Sequence, residues 1–154
     1  MKRVIKFRAW HLVKNIMAEV ESLRWDGTVH VNYKVGESKD GFFFGGNNVG
    51  TDWHRDDYEL MQLIGITDKN GVDIYEGDLI KLSGMGLKYD GFVFYVDFDY
   101  GTFQLYRNDG LYPLSFVYMA LQLKENNKLP ESFFESIAIF MEIIGNIYEN
   151  PELI

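Results

Sequence analysis

The chain contains no cysteine. Disulfides and thiolate metal centres are therefore excluded, and nothing in thiol usage points to secretion. No Cys nucleophile exists and no Ser stands in a Gly-x-Ser-x-Gly setting, so acyl transfer has no support. No run of 18 apolar residues occurs, so no helix is expected to span a membrane. The basic start (Lys2, Arg3, Lys6, Arg8) has no apolar segment behind it and does not read as a signal peptide. A cytoplasmic protein is expected. Histidine is rare as well. His11, His30 and His54 fall in a turn, on a strand and in a loop, and a metal site would need all three to converge. "GFFFGGNNVG" is Gly-rich, but no Lys-Ser/Thr follows it and no helix opens after it, so it is not a phosphate loop. No catalytic set emerges, and neither enzyme activity nor a cofactor is expected.

Apolar residues, at 47% of 154, suffice for a core, and aromatics at 16% favour half-buried strands. The net charge of −8 is uneven. Residues 1–54 hold 8 Lys/Arg against 6 Asp/Glu, whereas residues 55–154 hold 7 against 17. So acidic a second half repels phosphate backbones, and nucleic-acid binding by it is disfavoured.

Hydrophobic periodicity is that of strands. Ile5, Phe7 and Ala9 share one face, with Lys6 and Arg8 on the other; "IMAEV" and "TVHVNY" repeat the alternation across a turn at Asp26-Gly27. Three strands in about 34 residues predict an antiparallel meander. Residues 36–57 break the pattern with glycines and read as a loop or loose hairpin, although they carry Phe42, Phe43, Phe44 and Trp53. "YELMQLIGI" resumes as a strand, and Asn70-Gly71 is a strong turn signal. Phe92, Phe94, Val96, Phe98 and Tyr100 form one apolar face, with hairpin turns at 99–102 and 108–110. "LPESFFESIAIF" reads as a short helix and "FMEIIG" as the last strand. The expected fold is mainly β: a meander over 1–75 and a small five-stranded barrel of the Src-homology type over 76–154, with one or two short helices.

The chain ends on "IIGNIYENPELI". Asn150 is placed to cap one turn opened by Pro151, and so short a turn needs packing by Tyr148, Leu153 and Ile154 to persist. "LIGITDKNGVDIYEGDLI" echoes this tail through its own Ile-Tyr-Glu. Together, "IKFRAW", "MQLIGITDKNGVDIYEGDLI" and "IIGNIYENPELI" resemble the three signature blocks of the YopX family, small proteins of phages and prophages of Gram-positive bacteria. The resemblance spans the chain from end to end. It implies a single β-rich domain over 1–154 with a Src-homology-like part, self-association, and residence in the host bacterial cytoplasm. It carries no catalytic motif.

Three constellations remain. Asp97 and Asp99 share a strand face, and Glu76 and Asp78 lie near the expected barrel mouth; such carboxylates hold Mg²⁺ or Ca²⁺ only where two or three converge, and a solvated acidic face is the plainer account. Lys6, Arg8 and Trp10 place basic and aromatic groups on one strand face, the pattern of single-strand nucleic-acid binders, against the bland reading of a solvated outer face. Phe42, Phe43, Phe44, Tyr148, Leu153 and Ile154 are the candidate protein-contact residues. The leading expectation is a non-enzymatic phage accessory protein acting as a homo-oligomer, with a host or phage protein as a further partner. The alternative is a nucleic-acid-associated regulator using Lys6, Arg8 and Trp10.

Overall fold

A computed structural model of the chain describes residues 4–34, 48–84, 90–113 and 137–154. Eleven β-strands lie among these residues, every neighbouring pair is antiparallel, and the strands form two sheets. The mainly-β expectation holds. The chain divides into two units, Ile5–Gln62 and, together with Met1–Val4, Leu63–Ile154.

The first unit opens with the expected meander: β1 (Phe7–His11), β2 (Ile16–Leu23) and β3 (Val29–Lys34). β4 follows (Asn48–Trp53), and β5 (Tyr58–Thr67) returns beside β1, giving the order β4-β3-β2-β1-β5. The inward faces supply a cluster of Ala9, Ala18, Val29, Val31 and Trp53. The two alanines leave volume that the Trp53 indole fills. It is 1% exposed and meets the His11 ring edge-on at 4.8 Å. Of the loop or loose hairpin expected over 36–57, the hairpin is the alternative that agrees with the antiparallel pairing of β3 with β4. Residues 48–53 are a strand, and its last residue is core. The three Phe at 42–44 lie outside the described residues.

His11 is buried, and its Nδ1 accepts the backbone N–H groups of Val13 and Lys14 at 3.2 and 3.3 Å. Burial, with Lys14 adding to it against Asp57, holds its pKa below the ordinary histidine value. The neutral ring can therefore act as the acceptor that this turn needs.

In the second unit β5 pairs with β6 (Asp73–Tyr75), and a five-stranded sheet follows. Its members are β7 (Asp78–Leu82), β8 (Val93–Asp99), β9 (Thr102–Arg107), β10 (Gly110–Pro113) and β11 (Met141–Asn146), in the order β10-β9-β8-β7-β11. The succession of strand, loop, two hairpins, helical turn (Ile137–Ala138) and final strand is the one expected. The closed barrel is not: among the described residues β10 and β11 remain the two edges of an open sheet. Of the helix expected over 129–140, residues 129–136 lie outside the described residues, and Ile139 and Phe140 form a turn. Ile66, Ile74, Ile80, Leu82, Phe94, Val96, Leu105, Ile137 and Met141 make the core. Each of these larger side chains contributes roughly 1.5–3 kcal/mol by leaving water.

Asp68 fastens the β5–β6 turn to β11. It is 4% exposed. Its Oδ1 accepts the N–H groups of Asn70 (2.8 Å) and Val72 (3.0 Å), and its Oδ2 accepts Asn70 Nδ2 (3.1 Å) and the Ile143 N–H (3.3 Å). Beside it the Lys69 N–H donates to the Met141 carbonyl at 2.8 Å, and Lys69 Nζ meets Glu142 at 2.7 Å.

The β8–β9 connection is the two-residue turn foreseen at 99–102. Tyr100 (φ 50°) and Gly101 (φ 79°) both adopt left-handed backbone. Gly accepts that conformation freely, whereas Tyr pays a steric penalty that Asn largely avoids. Tyr100 is also 86% exposed, so its ring gains little from packing. Tyr100→Asn is therefore expected to stabilise the chain by about 0.5–1 kcal/mol, read as a higher denaturation midpoint at unchanged slope. An unchanged or lower midpoint would mean that the ring supports the hairpin.

Candidate interaction surface

The tail forms the single turn foreseen, a 3₁₀ helix at Pro151–Leu153, but Asn150 does not cap it with its side chain. That side chain turns back instead. Its Oδ1 accepts the Asn146 N–H at 3.3 Å, while Asn146 Oδ1 accepts the Tyr148 N–H at 2.8 Å. The two asparagines thus brace the loop between β11 and the turn. Gly145 is needed beside them, since a Cβ there would collide with the Asn150 side chain.

Braced in this way, Leu153 and Ile154 reach the base of the β8–β9 hairpin. With Phe92, Tyr95, Tyr106 and Arg107 they line an open hollow of about 240 Å³. Tyr95 and Tyr106 stack at 5.3 Å, and the Arg107 guanidinium lies 3.8 Å over the Phe92 ring. The Tyr106 hydroxyl donates to Asp99 Oδ2 at 2.6 Å, which pushes its pKa well above the usual tyrosine range. Tyr106 therefore stays a neutral donor. Leu153 and Ile154 remain 40% and 45% exposed, so the tail covers the hollow only in part. Tyr148 is half-buried, with its backbone engaged by Asn146.

The other candidates are dispersed. Lys6 is exposed and Arg8 half-buried, but Trp10 is only 6% exposed. β1 is an interior strand, flanked by β2 and β5, and is covered on both faces at Ala9 and Trp10. Such an indole offers no open face for a base. The carboxylates serve the backbone. Asp78 is buried and its Oδ2 accepts the Tyr75 N–H at 2.8 Å; Asp97 and Asp99 accept the N–H of Phe98 and Tyr100, each at 2.8 Å. His30 pairs instead with Asp52 at 2.7 Å, and His54 is exposed. Among the described residues no three His, Cys, Asp or Glu side chains gather to hold a metal ion, and no helix is long and apolar enough to cross a membrane.

Two features had no counterpart among the sequence candidates. One is the aromatic hollow itself, whose walls come from strands brought together by pairing. The other is Trp25, which is 99% exposed in the β2–β3 turn. The only local signal for it was its place just before Asp26-Gly27.

The same architecture occurs in solved structures. Protein EF1440 from Enterococcus faecalis is 24% identical, with 99% of each chain covered and a TM-score of 0.58. The protein yopX from Bacillus subtilis is 17% identical, with 97% of each chain covered and a TM-score of 0.52. These likenesses concern the fold, and neither protein is named for an activity. No curated protein matches the chain. The family model described as YopX protein matches residues 6–154, which takes in nearly the whole sequence and, but for Ile5, the three blocks quoted above; the chain belongs to the YopX family.

Proposed function

We propose that the chain is a non-enzymatic accessory protein of a phage or prophage, acting in the host cytoplasm through protein–protein contacts as a homo-oligomer. The observation that carries this reading is the tail. Leu153 and Ile154 are held by a braced turn against an aromatic hollow, yet each stays more than a third exposed. A partner surface that covered both would recover part of the roughly 1.5–3 kcal/mol that each forgoes in water. A second copy of the chain is the simplest such surface. The burial of Trp10 and the acidic second half both weigh against the nucleic-acid alternative. Exchanging Leu153 and Ile154 together for serine tests the reading. Sedimentation velocity should show self-association weakened about tenfold or more. Association as strong as that of the unaltered chain would remove the tail from the interface.

A further inference from the structure

Asn70-Gly71 is the only Asn-Gly pair in the sequence, and both residues are exposed in the β5–β6 turn. Gly71 has no side chain to shield its amide nitrogen, and that nitrogen is the natural attacker of the Asn70 side-chain carbonyl. Attack forms a bond from the Gly71 nitrogen to Asn70 Cγ and breaks the Cγ–Nδ2 bond. Ammonia departs, taking the Gly71 proton with it. Water then opens the five-membered imide and leaves aspartate or isoaspartate at position 70. Water is the only co-reactant. Crowding does not prevent the reaction, since a Cβ on Gly71 would meet nothing within 4 Å.

Asp68 holds the reacting groups instead. It binds three consecutive backbone N–H groups: those of Asn70 and Val72 on its Oδ1, at 2.8 and 3.0 Å, and that of Gly71 on its own carbonyl, at 3.0 Å. Asn70 Nδ2 donates to Asp68 Oδ2 at 3.1 Å. The attacking nitrogen and the leaving amide are thus both engaged, and each must leave Asp68 before the imide can close. The clasp is in turn fastened to β11, through the Ile143 N–H on Asp68 Oδ2 and the Lys69 N–H on the Met141 carbonyl. The reaction therefore requires local opening of the turn.

The product cannot restore the clasp. A carboxylate at position 70 puts a negative oxygen where Nδ2 donated to the buried Asp68 carboxylate, and like charges at that spacing repel. Isoaspartate also lengthens the backbone by one atom and throws the Gly71 and Val72 N–H groups out of step. We propose that Asn70 is a deamidation site that the Asp68 clasp keeps closed, so that deamidation records each opening of the turn and weakens its re-closure on β11.

Peptide-resolved mass spectrometry of the full chain tests it, after incubation at mildly alkaline pH with and without urea. In urea Asn70 should deamidate faster than any other asparagine. In the folded chain it should do so about tenfold or more slowly than in urea. Asp68→Asn, which keeps one acceptor oxygen but not the one that holds Asn70 Nδ2, should raise the folded-state rate towards the urea rate and leave the urea rate unchanged. Asn70→Asp, the product of the reaction, should lower the denaturation midpoint further than Asn70→Ala, which removes the same donor without adding charge. A folded chain that reacts as fast as the chain in urea would overturn the protection, and an Asp68→Asn rate equal to that of the unaltered folded chain would remove Asp68 from it. Another asparagine leading in urea would overturn the site. Equal midpoints for Asn70→Asp and Asn70→Ala would overturn the weakened re-closure.

Discussion

Replacing Asp68 with alanine is expected to destabilise the chain by about 3–5 kcal/mol. The carboxylate is buried and accepts three backbone N–H groups and one side-chain amide. Without it, the donors of Asn70, Val72 and Ile143 lose a charged acceptor, at about 1–3 kcal/mol for each donor left unpaired, partly relieved by water. The same bonds give a pH signature. Burial pushes the Asp68 pKa up, but the hydrogen bonds from Val72, Asn70 and Ile143 outweigh it and hold the pKa below the usual aspartate value. The unfolded chain therefore takes up the proton first. The contribution is fully present above the unfolded value of about 4 and is lost as pH falls through the folded one. Urea unfolding at neutral pH should show the full deficit, and the deficit should narrow on acidification below about pH 4. Asp68→Asn should lose less, because one acceptor oxygen survives, and should show a flatter acid limb. A variant with wild-type stability at neutral pH would mean that the turn and β11 are not coupled through this side chain.

Trp53→Ala is expected to cost about 3–5 kcal/mol. The indole is buried in a cluster whose other fully buried members are two alanines and two valines, and it loses the His11 ring contact as well, so a cavity remains even if Ile16, Val20, Tyr58 and Leu60 shift inward. Trp53→Phe should recover much of the loss. Denaturant midpoints measure both. A loss below about 1 kcal/mol for the alanine variant would mean that the cluster collapses around the gap, or that Trp53 is not the centre of the first unit.

Trp53 also marks where sequence reading ran out. The glycines and asparagines around it signal a loop, and β4 has no clean alternation of apolar residues to signal a strand. It is a strand because β3 offers it a partner from Val29 to Lys34. The first three strands were legible because their apolar residues alternate and a turn signal separates the second from the third. The face from Phe92 to Tyr100 was legible as a strand but not as to depth. Phe94 and Val96 are core, whereas Phe98 and Tyr100 are exposed, because β8 pairs with β7 only from Val93 to Tyr95 and the hairpin then continues with β9 alone. The turn at Asn70-Gly71 could be read from its residues. The bond from Asp68 to Ile143, 75 positions away, could not. The tail turn was predictable from Pro151, but the hollow beside it depends on tertiary pairing that no local pattern records.

Self-association is the central claim, and the mass of the unaltered chain in solution tests it most directly. Light scattering coupled to size exclusion, over a range of loading concentrations at moderate salt, should give at least twice the mass of one chain. The mass of a single chain at every concentration would contradict it.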